Sequence, residues 1–123
     1  MLGFGNVNGQ FRCGPAVILA QGDLEARALR FSSQAAVDVV LAADGYPDTP
    51  ATGHPIEIGA VPDDVLVFHA GTKHTANGLR TSGGRVVNVV GLGPDVATAR
   101  ERAYAGVAEV RFEGKQYRRD IAQ

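Results

Sequence analysis

Between Arg85 and Val110 the chain changes its hydrophobic period once. Val86, Val87, Val89 and Val90 form a β-branched run that meets two closely spaced glycines, Gly91 and Gly93. Side chains branched at Cβ suit a pleated strand. Beyond Pro94 the apolar residues recur as Val96, Ala99, Ala103, Val107 and Val110, one stripe at helical spacing. Pro94 suits the first helical position, and Asp95 complements the helix dipole in the first turn. A strand that passes through a tight turn into a long helix therefore anchors any fold this chain adopts.

The segments around that anchor are short. Val37, Val39 and Leu41 alternate with Asp38, Val40 and Ala42, which predicts a strand ended by the turn residues Asp44-Gly45-Tyr46-Pro47. Residues 48–55 carry Pro50, Gly53 and Pro55 and read as a loop. A short strand follows, with Ile56 and Ile58 expected on one face, then a strand from Val65 to Ala70. Asn77-Gly78 signals a hairpin with a type I′ turn. After the helix, Val110–Gly114 predicts a last short strand, and residues 115–123 read as a charged tail. These connections are too short for parallel crossovers, so the expected class is an α+β domain of mainly antiparallel strands with one long helix. Residues 1–20, with four glycines and no clear period, read as a poorly structured lead-in, with a short strand or helical turn at Ala16–Ala20. Asp23 and Glu25 signal the start of a short helix, and residues 21–123 form the expected domain.

The glycine pair invites a nucleotide-binding reading, and the neighbouring residues argue against it. The dinucleotide fingerprint wants a glycine or alanine where Val96 stands, because the helix must lie close to the strand. The Asp95 carboxylate would repel a pyrophosphate at the helix N-terminus. Glu113 stands where a ribose-binding acid would be sought, but only ten residues follow it, too few to complete a doubly wound sheet. No G-x-x-x-x-G-K-[ST] occurs. Gly91 and Gly93 are then a strand-to-helix turn.

Composition removes other function classes. The formal net charge of −1 gives no reason to expect nucleic acid or an anionic membrane surface as partner. Aromatic residues make up only 7%, few for a base-stacking platform. The apolar runs fall far below the roughly 20 residues of a membrane span. No basic stretch leads into a long apolar one, so no export signal is expected. Cys13 stands alone, which rules out an internal disulfide and fits the cytosol.

Few residues suggest chemistry. His54, His69 and His74 lack the close spacing of a metal site, and the one cysteine is remote from them and lacks any activating neighbour. His69 suits a hydrogen-bonded histidine at the core's edge. Ser32, Ser33 and Ser82 fall in no nucleophile-elbow pattern. No catalytic or metal-binding residue is therefore assigned. The cations are more informative. Lys73, Arg80 and Arg85 flank the predicted hairpin, and Arg118 and Arg119 sit side by side near the end. Arg85 follows Ser82-Gly83-Gly84, where free backbone N–H groups suit an anion, and guanidinium binds phosphate in a bidentate way. Ser82, Gly83, Gly84 and Arg85 are the candidate substrate-binding residues; the alternative is that the cations are solvated surface charges.

The segments "VLAADGYP", "VFHAGT", "GGRVVNVVGLG", "ARERAYAGV" and "FEGKQYRRDI" occur in order and at suitable distances. Together they resemble the C-terminal domain of glycinamide ribonucleotide synthetase, also called phosphoribosylamine–glycine ligase, over about Gln21 to Ile121. The resemblance implies an ATP-grasp ligase of de novo purine synthesis, in which ATP activates glycine as an acyl phosphate and 5-phosphoribosylamine attacks it, with Mg²⁺ or Mn²⁺ assisting. It implies a small β-rich domain of the rudiment single hybrid motif type, packed on the other ligase domains and helping to wall the active site, with Ser82–Arg85 near the substrate cleft. Residues 1–20 keep no counterpart of the acidic segment E-x-N-x-R-F-G-D-P-E that precedes this domain. Asp48-Thr49-Pro50 replaces the family's usual Gly-Ser-Tyr after "GYP". The expectation is a truncated ligase domain, inactive alone and holding no cofactor of its own. The alternatives are a stand-alone interaction or self-associating module and a small phosphosugar binder.

Overall fold

The structure, a computed structural model, describes residues 31–123. The lead-in, Cys13 and the short helix expected from Asp23 lie outside the described residues. The described residues form seven strands and one helix in the order β1 (Ala35–Ala42), β2 (Glu57–Ile58), β3 (Val65–His69), β4 (Thr72–Thr75), β5 (Gly78–Thr81), β6 (Arg85–Gly93), α1 (Val96–Glu109) and β7 (Val110–Arg111). All pairings are antiparallel. The main sheet has the order β1-β6-β3, with β2-β7 and β4-β5 as two-stranded ribbons. This is the α+β domain that the short connections predict.

The sheet's register lines up the core. Val37, Gly91 and Val65 form one cross-strand row, and Val39, Val89 and Val67 the next. Every second residue of β1, namely Val37, Val39 and Leu41, is buried, as the alternation requires. Helix α1 lies over this face and buries Ala99, Ala103, Gly106 and Val107. The other face leaves Val40, Leu66 and Phe68 more than a third exposed.

Gly91 and Gly93 correct the turn reading. Both lie inside β6 and are buried, and the connection is Pro94-Asp95. A Cβ on Gly91 would stand 2.1 Å from the Ala99 carbonyl oxygen and 2.3 Å from the Ala103 nitrogen. One on Gly93 would stand 2.7 Å from the Ala99 nitrogen. The glycines are there because the helix backbone rests directly on the strand. Pro94 and Asp95 fall two positions earlier than expected, because the helix starts at Val96. Asp95 is the N-cap, its carboxylate accepting from the Thr98 N–H at 2.7 Å, and Pro94 precedes it outside the helix. Val96, at the start of the stripe, is 53% exposed; the stripe buries from Ala99 on.

Three smaller expectations change. Ile56 is buried while Ile58 is exposed, since Ile56 precedes the two-residue β2 and packs into the core. At the β4–β5 hairpin the central residues are Ala76 and Asn77, neither with positive φ, and Gly78 follows at φ 96 as Thr75's partner. That is the pattern of a type I turn followed by a positive-φ glycine, not of type I′. The predicted charged tail is docked on the domain: Gln116 exchanges two backbone hydrogen bonds with Ala42, at 2.8 and 2.9 Å. The β1–β6 register shifts between Leu41 and Ala42, at the residue that pairs with Gln116.

Candidate functional site

The turn between β5 and β6 brings Ser82, Gly83, Gly84 and Arg85 to one end of the main sheet. Its shape follows from close backbone approaches. The Ser82 N–H donates to the Gly71 carbonyl at 2.8 Å, so it is not free for an anion. Gly71 and Gly83 touch, and the Gly84 carbonyl accepts from the Ala43 N–H at 2.8 Å. Among the described residues the Gly83 and Gly84 N–H groups make no hydrogen bond. The ring of Tyr46 lies against Gly84 where a Cβ would be.

Arg85 opens β6 and pairs with Ala42 at the end of β1. Its side chain makes no ion pair or hydrogen bond among the described residues. It lines an open cleft of about 450 Å³ together with Val40, Ala42, Tyr46, Gln116, Tyr117 and Arg118. The fold thus joins two cations that lie far apart in sequence, Arg85 and Arg118, over an apolar floor. Arg118 is held by Asp120: its Nε donates to Oδ1 at 2.9 Å and its Nη2 to Oδ2. The same pairing holds the Asp120 carboxyl below its ordinary range, chiefly through the hydrogen bond from Arg118, and moves the Arg118 guanidinium up. A cleft with two guanidiniums and aromatic walls suits a small anion with an apolar or ring-shaped body.

The other candidates are scattered. The Arg80 Nη1 donates to the Gly53 carbonyl at 2.7 Å, and Lys73 stands directly across the hairpin from it. His54 Nδ1 lies 3.2 Å from Glu113, the residue considered as a ribose-binding acid. His69 is exposed, not at the core's edge, and lies 3.2 Å from the Thr72 hydroxyl through Nδ1. Among the described residues no group of three or more His, Cys, Asp or Glu side chains is placed to hold a metal ion. No described helix is long and apolar enough to cross a membrane. Tyr46, Gln116 and Tyr117 escaped the sequence reading. Tyr46 reads as part of a turn, and Tyr117 as part of a tail, so only their meeting at Gly84 and Arg85 marks them.

Lys115 shows how closely that last segment is bound. Its Nζ donates to the Val107 and Val110 carbonyls at 2.9 and 2.7 Å, capping the C-terminal end of α1. Burial, and then the charge of Arg111, move its ammonium below the ordinary lysine range.

Comparison with known proteins agrees with this architecture. The family model described as "Phosphoribosylglycinamide synthetase, C domain" matches residues 36–123. The phosphoribosylamine–glycine ligase of Phenylobacterium zucineum is 52% identical over 94 residues, which cover 72% of this chain and 22% of the relative. That of Neisseria meningitidis is 47% identical over 103 residues, covering 82% and 24%. The crystal structure of the Thermotoga maritima ligase superposes with a TM-score of 0.62 at 48% identity, covering 69% of this chain and 21% of that one. The chain thus spans about a quarter or less of these ligases. With the family match running from β1 to the last residue, the chain belongs to the phosphoribosylglycinamide synthetase C-domain family.

Proposed function

We propose that this chain serves as the C-terminal domain of a phosphoribosylamine–glycine ligase and works with the ATP-binding domains of that enzyme. The observation that carries this reading is the high identity to such ligases across nearly the whole described unit. Activation of the glycine carboxylate by ATP needs a metal-bound triphosphate, which is a task for other domains. The ligase reaction would then use ATP with Mg²⁺ or Mn²⁺ held elsewhere. The exposed apolar face of Val40, Leu66 and Phe68 supports docking against those domains.

The chain's own contribution lies at the Arg85 cleft. Gly83, Gly84, Arg85 and Arg118 supply donors for a phosphate monoester, as carried by 5-phosphoribosylamine, while Tyr46 and Tyr117 flank the sugar. Such a wall orients a substrate and excludes water without performing a bond-making step. The test is reconstitution. The pure chain is mixed with a Phenylobacterium zucineum ligase whose own C-terminal domain has been deleted, and ADP release is followed with glycine and phosphoribosylamine. The expected result is release by the mixture and none by either part. Glycine-dependent ADP release by the pure chain, or no release by an associated mixture, overturns the reading.

A further inference from the structure

Arg118 lines the Arg85 cleft, yet among the described residues no backbone–backbone hydrogen bond holds residues 118–121. Two side chains of α1 do so instead. The Tyr104 hydroxyl donates to the Arg118 carbonyl at 2.8 Å and accepts from the Ile121 N–H at 3.2 Å. One turn earlier, the Arg100 Nε donates to the Ile121 carbonyl at 2.9 Å and its Nη2 to the Arg119 carbonyl at 3.2 Å. The Arg100 guanidinium also lies over the Tyr104 ring, 5.1 Å from its centre. Residues four apart on a helix share a face, so the two side chains act as one clamp. The clamp fixes the backbone of Arg118, and Asp120 fixes its guanidinium. Tyr104 is not itself part of the cleft's lining.

We propose that Tyr104 is a positioning residue for the Arg85 cleft: through its hydroxyl it holds Arg118 opposite Arg85, so that both guanidiniums meet one phosphate monoester. The inference rests on the cleft reading given above. A single hydroxyl satisfies two backbone groups of a segment with no ladder of its own. Removing that oxygen leaves the ring packed and releases the Arg118 carbonyl and the Ile121 N–H to water. The segment then samples positions in which only Arg85 reaches the ligand, and affinity falls while the core stays intact.

The test is a double-mutant cycle on this chain with ribose 5-phosphate as probe, read by calorimetric titration at low salt. Tyr104→Phe is expected to weaken binding roughly tenfold, the scale of one or two net hydrogen bonds. Arg118→Ala is expected to weaken it by about tenfold or more. Because Tyr104 acts through Arg118, adding Tyr104→Phe to Arg118→Ala has no further effect; two independent contributions would instead add. Amide exchange supplies the second readout, with residues 118–121 losing protection in Tyr104→Phe and residues 86–92 keeping it. Wild-type affinity in Tyr104→Phe, or additive losses in the double variant, overturns the inference and leaves the cleft reading standing. A wild-type chain that does not bind ribose 5-phosphate overturns both, whatever the reconstitution shows.

Discussion

Gly91→Ala tests the claim that the glycines of β6 exist for helix–strand contact. The added Cβ would stand 2.1 Å from the Ala99 carbonyl oxygen, 2.3 Å from the Ala103 nitrogen and 2.9 Å from the Ala103 Cα. All three are helix backbone atoms, so no side chain can swing aside. A tolerable contact begins near 3 Å, and α1 must therefore retreat by roughly 1 Å. Overpacking of this kind costs about 1–3 kcal/mol. The retreat also loosens the layer formed by Ala99, Ala103 and Val107, all within 1% of full burial. A gap of that size forfeits roughly a quarter to a half of each contact's attraction. The combined loss is on the order of 3 kcal/mol, which lowers the melting temperature of a domain this size by about 12–24 °C. Thermal unfolding followed by circular dichroism measures it. Gly53→Ala is the control: its Cβ would meet nothing within 4 Å, but its φ of 87 strains any L residue, at about 1–2 kcal/mol. If Gly91→Ala melts no lower than Gly53→Ala, the backbone contact does not explain the glycine.

Two further outcomes follow from the ends of α1. The Asp95 carboxyl sits below its ordinary range, chiefly through the hydrogen bond from the Thr98 N–H. A depressed carboxyl contributes stability above its unfolded pKa and loses it as pH falls through the folded value. Asp95→Ala should therefore melt below the wild type at neutral pH, with the gap closing in acid, while Asp95→Asn keeps the cap and removes that pH dependence; a gap independent of pH would contradict this. Lys115→Met removes two hydrogen bonds to helix-end carbonyls and should cost about 1–2 kcal/mol in urea unfolding. An unchanged midpoint would mean that water replaces the ammonium without loss.

Much of the fold can be read from local pattern. The alternation in Val37–Leu41, the β-branched run of Val86–Val90 and the 3.6-residue stripe from Ala99 each name an element, because burial on one face imposes that element's own period. The short links dictate antiparallel pairing. Even the candidate turn of Ser82–Arg85 is visible, since glycines and a guanidinium leave a local trace. What local pattern does not carry is distance across the chain. Gly91 looks like a turn glycine until the helix backbone is placed against it. "KQYRRDIAQ" looks like a solvated tail until Lys115 meets the carbonyls of α1 and Gln116 meets Ala42. Arg85 and Arg118 become one cleft only because β1, β6 and the last segment converge at the same end of the sheet. Period and turn chemistry are properties of neighbours in sequence, and they settled the elements. Close approach and a shared cleft belong to residues tens of positions apart, and only packing decided those.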